Sequence, residues 1–99
     1  MVFYDLPVVS KAEKKIYARF RKFLLKDGYD MIQFSVYARI CNGQDAVNKH
    51  LIRLEANLPM KGSVRCMQVT EKQFSGIMVL VGKKKSKEDR KFADQLSFF

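Results

Sequence analysis

The segment from Ser10 to Gly28 carries both a start signal and a stop signal for a helix. Ser10 is followed three residues later by Glu13, which is the spacing of a capping box, and Gly28 can end a helix in the left-handed conformation. Between these ends the apolar residues recur at helical spacing and predict one buried face, made of Ile16, Phe20, Phe23 and Leu24. A helix fixed at both ends constrains the fold, because neighbouring strands must pack against its one apolar face.

Strands are predicted on both sides of this helix. Met1–Tyr4 predicts a strand that ends at Asp5, and Pro7 prevents ladder pairing beyond it. From Asp30 to Ile40 the side chains alternate with period two, which predicts one long strand. Its apolar face would carry Ile32, Phe34, Val36, Ala38 and Ile40, and its mixed face Met31, Gln33, Ser35, Tyr37 and Arg39.

A second helix is predicted after a turn at Asn42 and Gly43. Asn42 and Asp45 are suitable residues for its N-terminus, and Pro59 would end it. Its inner stripe is predicted to consist of Val47, Leu51, Leu54 and Leu58. A second amphipathic helix adds a second element that must cover the same sheet.

Two further strands complete the predicted domain. Val64–Glu71 predicts a third strand, Lys72–Ser75 a short turn or helical piece, and Ile77–Val81 a fourth strand. We interpret this order as the ferredoxin-like βαββαβ arrangement of the α+β class. The ferredoxin-like domain is predicted to span residues 1–82, and residues 83–99 to form a basic linker and a C-terminal strand.

A homodimer is expected from the burial pattern. Two helices on one face of a sheet leave the other face open to water, and a monomer would then expose an unusually large apolar patch. The C-terminal strand is expected to be an additional edge strand, exchanged with or docked on the partner protomer. The residues predicted at the dimer interface are Gln33, Ser35, Tyr37, Leu96, Phe98 and Phe99.

The charge balance indicates a polyanionic partner. Nineteen Lys and Arg residues oppose ten Asp and Glu residues, so the formal net charge is +9, and nucleic acid is the first candidate. No apolar run approaches the ~20 residues that a membrane helix needs. A cytoplasmic location is expected, because no signal-peptide pattern is visible at the N-terminus.

The cations concentrate on the first helix. Lys11, Lys15, Lys22 and Lys26 fall within ~60° of one another on a helical wheel, and Glu13 is the only acid between Lys11 and Lys26. A solvated charged face is the alternative interpretation of such a stripe. The predicted nucleic-acid-binding residues are Lys11, Lys14, Lys15, Arg19, Lys22, Arg39 and Arg65.

Few residues suggest catalysis. The single histidine, His50, is predicted on the flank of the second helix as a partly exposed structural residue rather than a base. Cys41 and Cys66 match no metal-ligand spacing and are expected to be reduced and buried. These features disfavour a serine or cysteine hydrolase.

Asp5 is the one acid whose context leaves two interpretations open. It ends a strand, where its carboxylate could cap the hydrogen bonds of the following loop. Alternatively, a two-fold dimer could bring two copies together as a catalytic Mg²⁺ site, because two carboxylates with waters and a phosphate oxygen suit that ion.

These features in this order resemble the family of the second CRISPR-associated protein, the small adaptation subunit. The resemblance is carried by Asp5 at a strand end, by "RKFLLKDGYDMIQFSVYARIC" from Arg21 to Cys41, by "GSVRCMQVTEKQF" from Gly62 to Phe74, and by an apolar tail. The runs "QFSVY" and "VTEKQF" are similar to the branch that accompanies single-effector (type II) systems.

The resemblance implies a function in CRISPR adaptation. It implies a homodimer that bridges two dimers of the CRISPR integrase, the first CRISPR-associated protein, and holds double-stranded protospacer DNA for integration into the repeat array. That role is expected to be non-catalytic. It also implies Mg²⁺-dependent endoribonuclease or endonuclease activity, with RNA as a further partner and Asp5 as both metal ligand and catalytic residue.

Overall fold

A computed structural model describes residues 1–82 of the chain. The chain divides after Gln68 into two compact units. The first unit contains β1 (Val2–Asp5), α1 (Lys11–Lys26), β2 (Asp30–Gln33), β3 (Val36–Ala38), α2 (Gln44–Ala56) and β4 (Ser63–Cys66). The second unit begins at Val69, and its described part contains the short helix α3 (Glu71–Ser75). No helix within residues 1–82 is long and apolar enough to cross a membrane.

The four strands form one antiparallel sheet in the order β2-β3-β1-β4. With the two helices of the first unit, this gives the ferredoxin-like βαββαβ arrangement, so the predicted fold class is confirmed. The homodimer and the boundary at residue 82 stay predictions. The predicted C-terminal strand, with Leu96, Phe98 and Phe99, lies outside the described residues.

Both predicted ends of α1 are confirmed. The Ser10 hydroxyl accepts a hydrogen bond from the Glu13 backbone N–H at 3.1 Å, and the Glu13 carboxylate accepts one from the Ser10 N–H at 2.9 Å. At the other end Gly28 has φ +91°, and the Tyr29 N–H donates to the Leu24 carbonyl at 2.9 Å. This pattern is a Schellman motif, and it returns the chain toward the sheet.

The single long strand predicted from Asp30 to Ile40 is wrong. The segment is a hairpin of β2 and β3, with Ser35 in the left-handed region at φ 65°. No Gly, Pro or Asn marks this turn, so the alternation alone could not show it. The assigned faces are also wrong, because Tyr37 is 1% exposed in the core whereas Phe34 is 84% exposed.

The start and the inner stripe of α2 differ from the prediction. Gly43 is the N-cap and makes no side-chain capping hydrogen bond, so Asn42 does not cap the helix. The buried residues of α2 are His50 and Leu54, while the predicted Leu51 and Leu58 are exposed. A histidine can occupy the buried stripe here because an acid from another element reaches its ring.

The third predicted strand is shorter than expected, and the fourth is wrong. β4 ends at Cys66, and Thr70 starts α3 through a capping box with Gln73. Ile77–Val81 is not a strand in the structure. An apolar run becomes a strand only where another strand pairs with it, and the local sequence does not supply that partner.

The core centres on the inner face of β1. Tyr4 packs edge-to-face on Phe20 at a ring-centroid distance of 5.1 Å and stacks on Tyr37 at 5.9 Å. Burial of these rings fixes β1 against the helices. The buried hydrophobic cluster consists of Val2, Tyr4, Leu6, Phe20, Leu24, Tyr29, Tyr37 and Leu54.

We predict that Gly62→Ala destabilises the fold more than Gly43→Ala. Both glycines have positive φ, at +92° and +86°, so either alanine costs about 1–3 kcal/mol in backbone strain. At Gly62 the added Cβ would also lie 2.6 Å from the Asp5 carbonyl oxygen and from a Leu6 methyl carbon, whereas nothing lies within 4 Å at Gly43. Overpacking should add about 1–3 kcal/mol. Urea denaturation of both variants measures the difference, and equal losses would contradict the close approach.

Candidate functional site

Asp5 is positioned by the pleat of β1. Val2 and Tyr4 are buried toward the helices, so the alternation of side chains puts Phe3 and Asp5 on the opposite face of the sheet. Asp5 pairs with Ser63 on β4. The close approach of the glycine that precedes Ser63 leaves the backbone at Asp5 little room to move. The carboxylate therefore projects from a rigid strand end.

The Asp5 carboxylate makes no hydrogen bond and no ion pair with any residue in the range 1–82, and it is exposed. The interpretation that it caps loop hydrogen bonds is therefore wrong. Within the same range no three His, Cys, Asp or Glu side chains gather into a metal-binding group. Because Mg²⁺ keeps several waters and uses one or two carboxylates, Asp5 fits it only as one ligand of a water-rich, shared site.

One predicted cation lies on the same face of the sheet as Asp5. Arg65 of β4 is directly opposite Phe3, and residues paired across an antiparallel ladder project to the same side. Its side chain is exposed. Arg39 is different, because it donates from Nη1 to the Ile40 carbonyl at 3.0 Å and lies against the backbone of Gly28.

The cations predicted on α1 form an exposed surface that no acid neutralises. None of them makes an ion pair with a residue of the described part of the chain, where both salt bridges involve Asp27. We define the α1 basic surface as Lys11, Lys14, Lys15, Arg19 and Lys22. This surface lies on the helical side of the sheet, whereas Asp5 lies on the other side. The structure does not bring the two predicted features together within one chain.

The sequence did not reveal a charged cluster between α1 and α2. Asp27 has a side chain only 9% exposed, and His50 lies in the buried stripe of α2 instead of on its flank. The His50 Nδ1 lies 2.9 Å from the carboxylate of Asp27, and Arg53 donates to its other oxygen at 3.0 Å. Since a carboxylate only accepts, Nδ1 carries the proton. The available signal for this cluster in the sequence was the spacing of His50 and Arg53, which lie one helical turn apart.

Burial alone would raise the pKa of Asp27, but the hydrogen bonds from His50 and Arg53 outweigh it and lower that pKa below its ordinary value. The cluster therefore holds a charged carboxylate between the end of α1 and the middle of α2. Both carboxylate oxygens of Asp27 and the Nδ1 atom of His50 are engaged in these hydrogen bonds. These contacts explain the two residues structurally, in agreement with the structural role predicted for the histidine.

The two cysteines are free. Cys66 is exposed and Cys41 is partly buried, so the expectation that both are buried is wrong. Cys66 is the last residue of β4, and Cys41 follows β3.

The fold, the exposed carboxylate of Asp5 and the basic helix together define a small ferredoxin-like protein with an exposed cationic surface on α1. The family model described as CRISPR associated protein Cas2 matches residues 1–77. This match covers well over half of the chain. The chain belongs to the CRISPR-associated Cas2 family.

Three curated relatives match over 85% or more of their own lengths, and each carries the name CRISPR-associated endoribonuclease Cas2. The protein of Acidovorax ebreus (strain TPSY) is 59% identical over 99 residues, which cover 100% of this chain and 97% of that protein. The Flavobacterium psychrophilum protein is 43% identical, with coverage of 100% and 85%. The Ligilactobacillus salivarius protein is 42% identical, with coverage of 96% and 93%.

We predict that Asp27→Asn lowers stability at neutral pH by about 1–3 kcal/mol, because two charge-assisted hydrogen bonds are weakened. A carboxyl whose folded pKa is lowered stabilises the fold above its ordinary pKa of 3.8, and the effect is lost as the pH falls through the lowered value. The difference between variant and parent should therefore shrink below pH 4. Denaturation from pH 3 to 7 measures it, with the exposed Glu55→Gln of α2 as control. A difference that does not vary with pH would contradict the assignment.

Proposed function

We propose that this chain is a CRISPR adaptation subunit: a homodimeric scaffold that bridges two integrase dimers and holds protospacer DNA for spacer integration. The observation that carries the proposal is the α1 basic surface, whose cations are exposed and make no ion pair with any residue in the range 1–82. A purely structural charged helix would be expected to alternate cations with acids, and this helix has only Glu13, which is engaged in its own capping box.

The size of the surface suits a duplex backbone. α1 has 16 residues, so it is about 24 Å long, which corresponds to roughly seven base pairs. Lysines on a rigid helix can neutralise phosphates without reading bases, as binding of captured DNA of varied sequence requires. The formal charge of +9 would also speed encounter with the duplex.

The dimer is supported by apolar surface that the described residues leave uncovered. Leu80 and Val81 are 87% and 95% exposed. Burial of such residues against a second chain contributes roughly 25 cal/mol per Å² of apolar surface. In the proposed dimer Gln33 and Ser35 remain interface residues, together with the C-terminal tail. Tyr37 is removed from that set because the core of its own chain buries it.

Mg²⁺-dependent endoribonuclease activity is the second candidate. Two observations favour it: the relatives carry the name endoribonuclease, and Asp5 is an exposed carboxylate without a described partner. Asp5 from each of two chains would hold the ion. Magnesium, when bound, supplies positive charge that stabilises a phosphodiester as it is cleaved. Arg65 on the same face is suited to hold a neighbouring phosphate of the RNA.

Neutralising Lys11, Lys15 and Lys22 together by mutation to Gln should weaken duplex binding and reduce its salt dependence. Each lost phosphate contact lowers the slope of log affinity against log salt by roughly 0.9. A matched control neutralises three exposed lysines elsewhere, Lys49, Lys61 and Lys72, and reaches the same net charge.

Fluorescence anisotropy with a labelled duplex between 50 and 300 mM salt measures both variants. The control should change the slope much less than the α1 variant. If the two variants behave alike, net charge alone explains binding and α1 is not the interface.

We predict that Asp5→Ala leaves spacer integration by the complete complex nearly intact, because the transesterification belongs to the integrase in the proposed complex. If the isolated dimer cleaves RNA, that cleavage should require Mg²⁺ and disappear in the same variant, since Asp5 is the carboxylate proposed to hold the ion. The exposed Asp45→Asn is the control and should alter neither assay.

Sedimentation, thermal stability and duplex affinity establish that the Asp5 variant is otherwise intact. Loss of integration in such an intact variant would contradict the scaffold and favour the nuclease. Cleavage that persists in the Asp5 variant would contradict the second candidate.

A further inference from the structure

Arg21 differs from the other cations of α1 because its side chain is anchored. Its Nε donates a hydrogen bond to the hydroxyl oxygen of Tyr37 at 3.1 Å. None of the five residues of the α1 basic surface makes a side-chain hydrogen bond within the described part of the chain. Arg21 was not among the predicted nucleic-acid-binding residues, because its sequence position does not show what lies beneath it.

The anchoring residue is itself rigid. Tyr37 is buried in the core, and its ring stacks on Tyr4 at a centroid distance of 5.9 Å and an interplanar angle of 19°. Its backbone pairs with Val2 on one side and with Met31 on the other. The Tyr37 hydroxyl is thus a fixed acceptor at the boundary between core and solvent.

The part of Arg21 that faces away from Tyr37 has no partner among residues 1–82. A guanidinium group has five N–H donors in one plane, and the bond from Nε uses one of them. Neither terminal nitrogen of Arg21 makes a hydrogen bond or ion pair with residues 1–82, and the residue is exposed. Four N–H donors are therefore held in a fixed plane and remain available.

Arg21 also lies beside the α1 basic surface. On the helical wheel it is about 20° from Lys14 and about 80° from Lys11, so it borders that surface on the side next to Tyr37. Lys14 is seven residues earlier, which places it about 10 Å away along the helix axis. The guanidinium group of Arg21 and the ammonium group of Lys14 therefore lie along the same edge of the helix.

We propose that Arg21 binds a backbone phosphate of the nucleic acid and that Tyr37 is its positioning residue. The inference rests on the proposed function, since it assigns one defined contact within that interface. A planar fork can hold two oxygens of one phosphate, which a lysine cannot do. Because the hydrogen bond to Tyr37 already restricts the side chain, binding loses less conformational entropy than at a free lysine.

A double-mutant cycle in the full-length chain tests this assignment. The variants are Arg21→Ala, Tyr37→Phe and their combination, and Tyr17→Phe is the matched control because it removes a hydroxyl from the same aromatic cluster. Duplex affinity and its salt slope are measured by anisotropy, and thermal unfolding is measured separately for each variant. Arg21→Lys retains the charge without the planar fork.

Arg21→Ala should weaken binding roughly threefold to tenfold and lower the salt slope by about 0.9. Tyr37→Phe should weaken binding about twofold to fivefold when Arg21 is present and have no effect when it is alanine. Arg21→Lys should keep the salt slope but bind the duplex more weakly than the parent, because lysine retains the charge without the planar fork. Tyr17→Phe should leave affinity unchanged, even if it lowers thermal stability.

Three results would overturn the assignment. One is an unchanged affinity in Arg21→Ala, and another is an equal effect of Tyr37→Phe in both backgrounds, which would indicate a general loss of structure. The third is an equal loss of affinity in Tyr17→Phe. If duplex binding depends on Lys11, Lys15 and Lys22 but not on Arg21, only this inference fails. A parent chain that binds no duplex contradicts the proposed function as well.

Discussion

The packing of the inner face of β1 against α1 is the interaction on which the other features depend. Tyr4 contacts Phe20 and Tyr37, and Val2 and Leu24 are completely buried beside them. Because a strand alternates its side chains, burial of Val2 and Tyr4 projects Asp5 to the opposite face. Because a helix has 3.6 residues per turn, burial of Phe20 and Leu24 projects the lysines into solvent. One set of apolar contacts therefore orients both candidate functional groups.

This arrangement keeps the Asp5 carboxylate apart from the cations of α1. If the Asp5 carboxylate lay about 4 Å from the cations of α1, it would form ion pairs with them. The charges of the carboxylate and of the cations would then be neutralised. With the sheet between them, the carboxylate and the lysines do not pair with each other, and neither makes an ion pair within residues 1–82. The separation also leaves one chain without a complete metal site, since within residues 1–82 no three His, Cys, Asp or Glu side chains gather into a metal-binding group. The proposed nuclease site is therefore one that two chains share, whereas the proposed binding surface on α1 belongs to a single chain.

Features governed by local physics could be predicted from the sequence. Capping at Ser10 and Glu13 and the left-handed Gly28 involve neighbours within a few residues, so their positions follow from residue type alone. The exposed cations of α1 were also predictable, because helical periodicity fixes which residues face outward. The fold class was predicted correctly, although the β2–β3 hairpin was predicted as one strand and a fourth strand was placed at Ile77–Val81. The resemblance to a family, carried by long runs of sequence, agrees with the family match.

The predictions that failed concern contacts between distant parts of the chain. Nothing local marks the turn at Ser35, and whether Tyr37 faces the core depends on its stacking with Tyr4, thirty-three residues earlier. Asp27 and His50 are twenty-three residues apart, so each looked like an isolated polar residue. At Ile77–Val81 the error is the opposite one, because a strand was predicted where none forms. The pattern is typical of a strand, but no described strand pairs with it.

The misassigned Tyr37 shows why such failures concern function as well as fold. Placed on an open sheet face, it would be one more interface residue. Placed in the core, it contributes a ring to the packing of β1 and a hydroxyl to the edge of α1, where it meets Arg21. A phenylalanine would fill the same volume, so packing alone does not require the oxygen. The Tyr37 oxygen is explained by the hydrogen bond that it accepts from Arg21. Through this bond a rigid residue of the core holds a charged group at the surface.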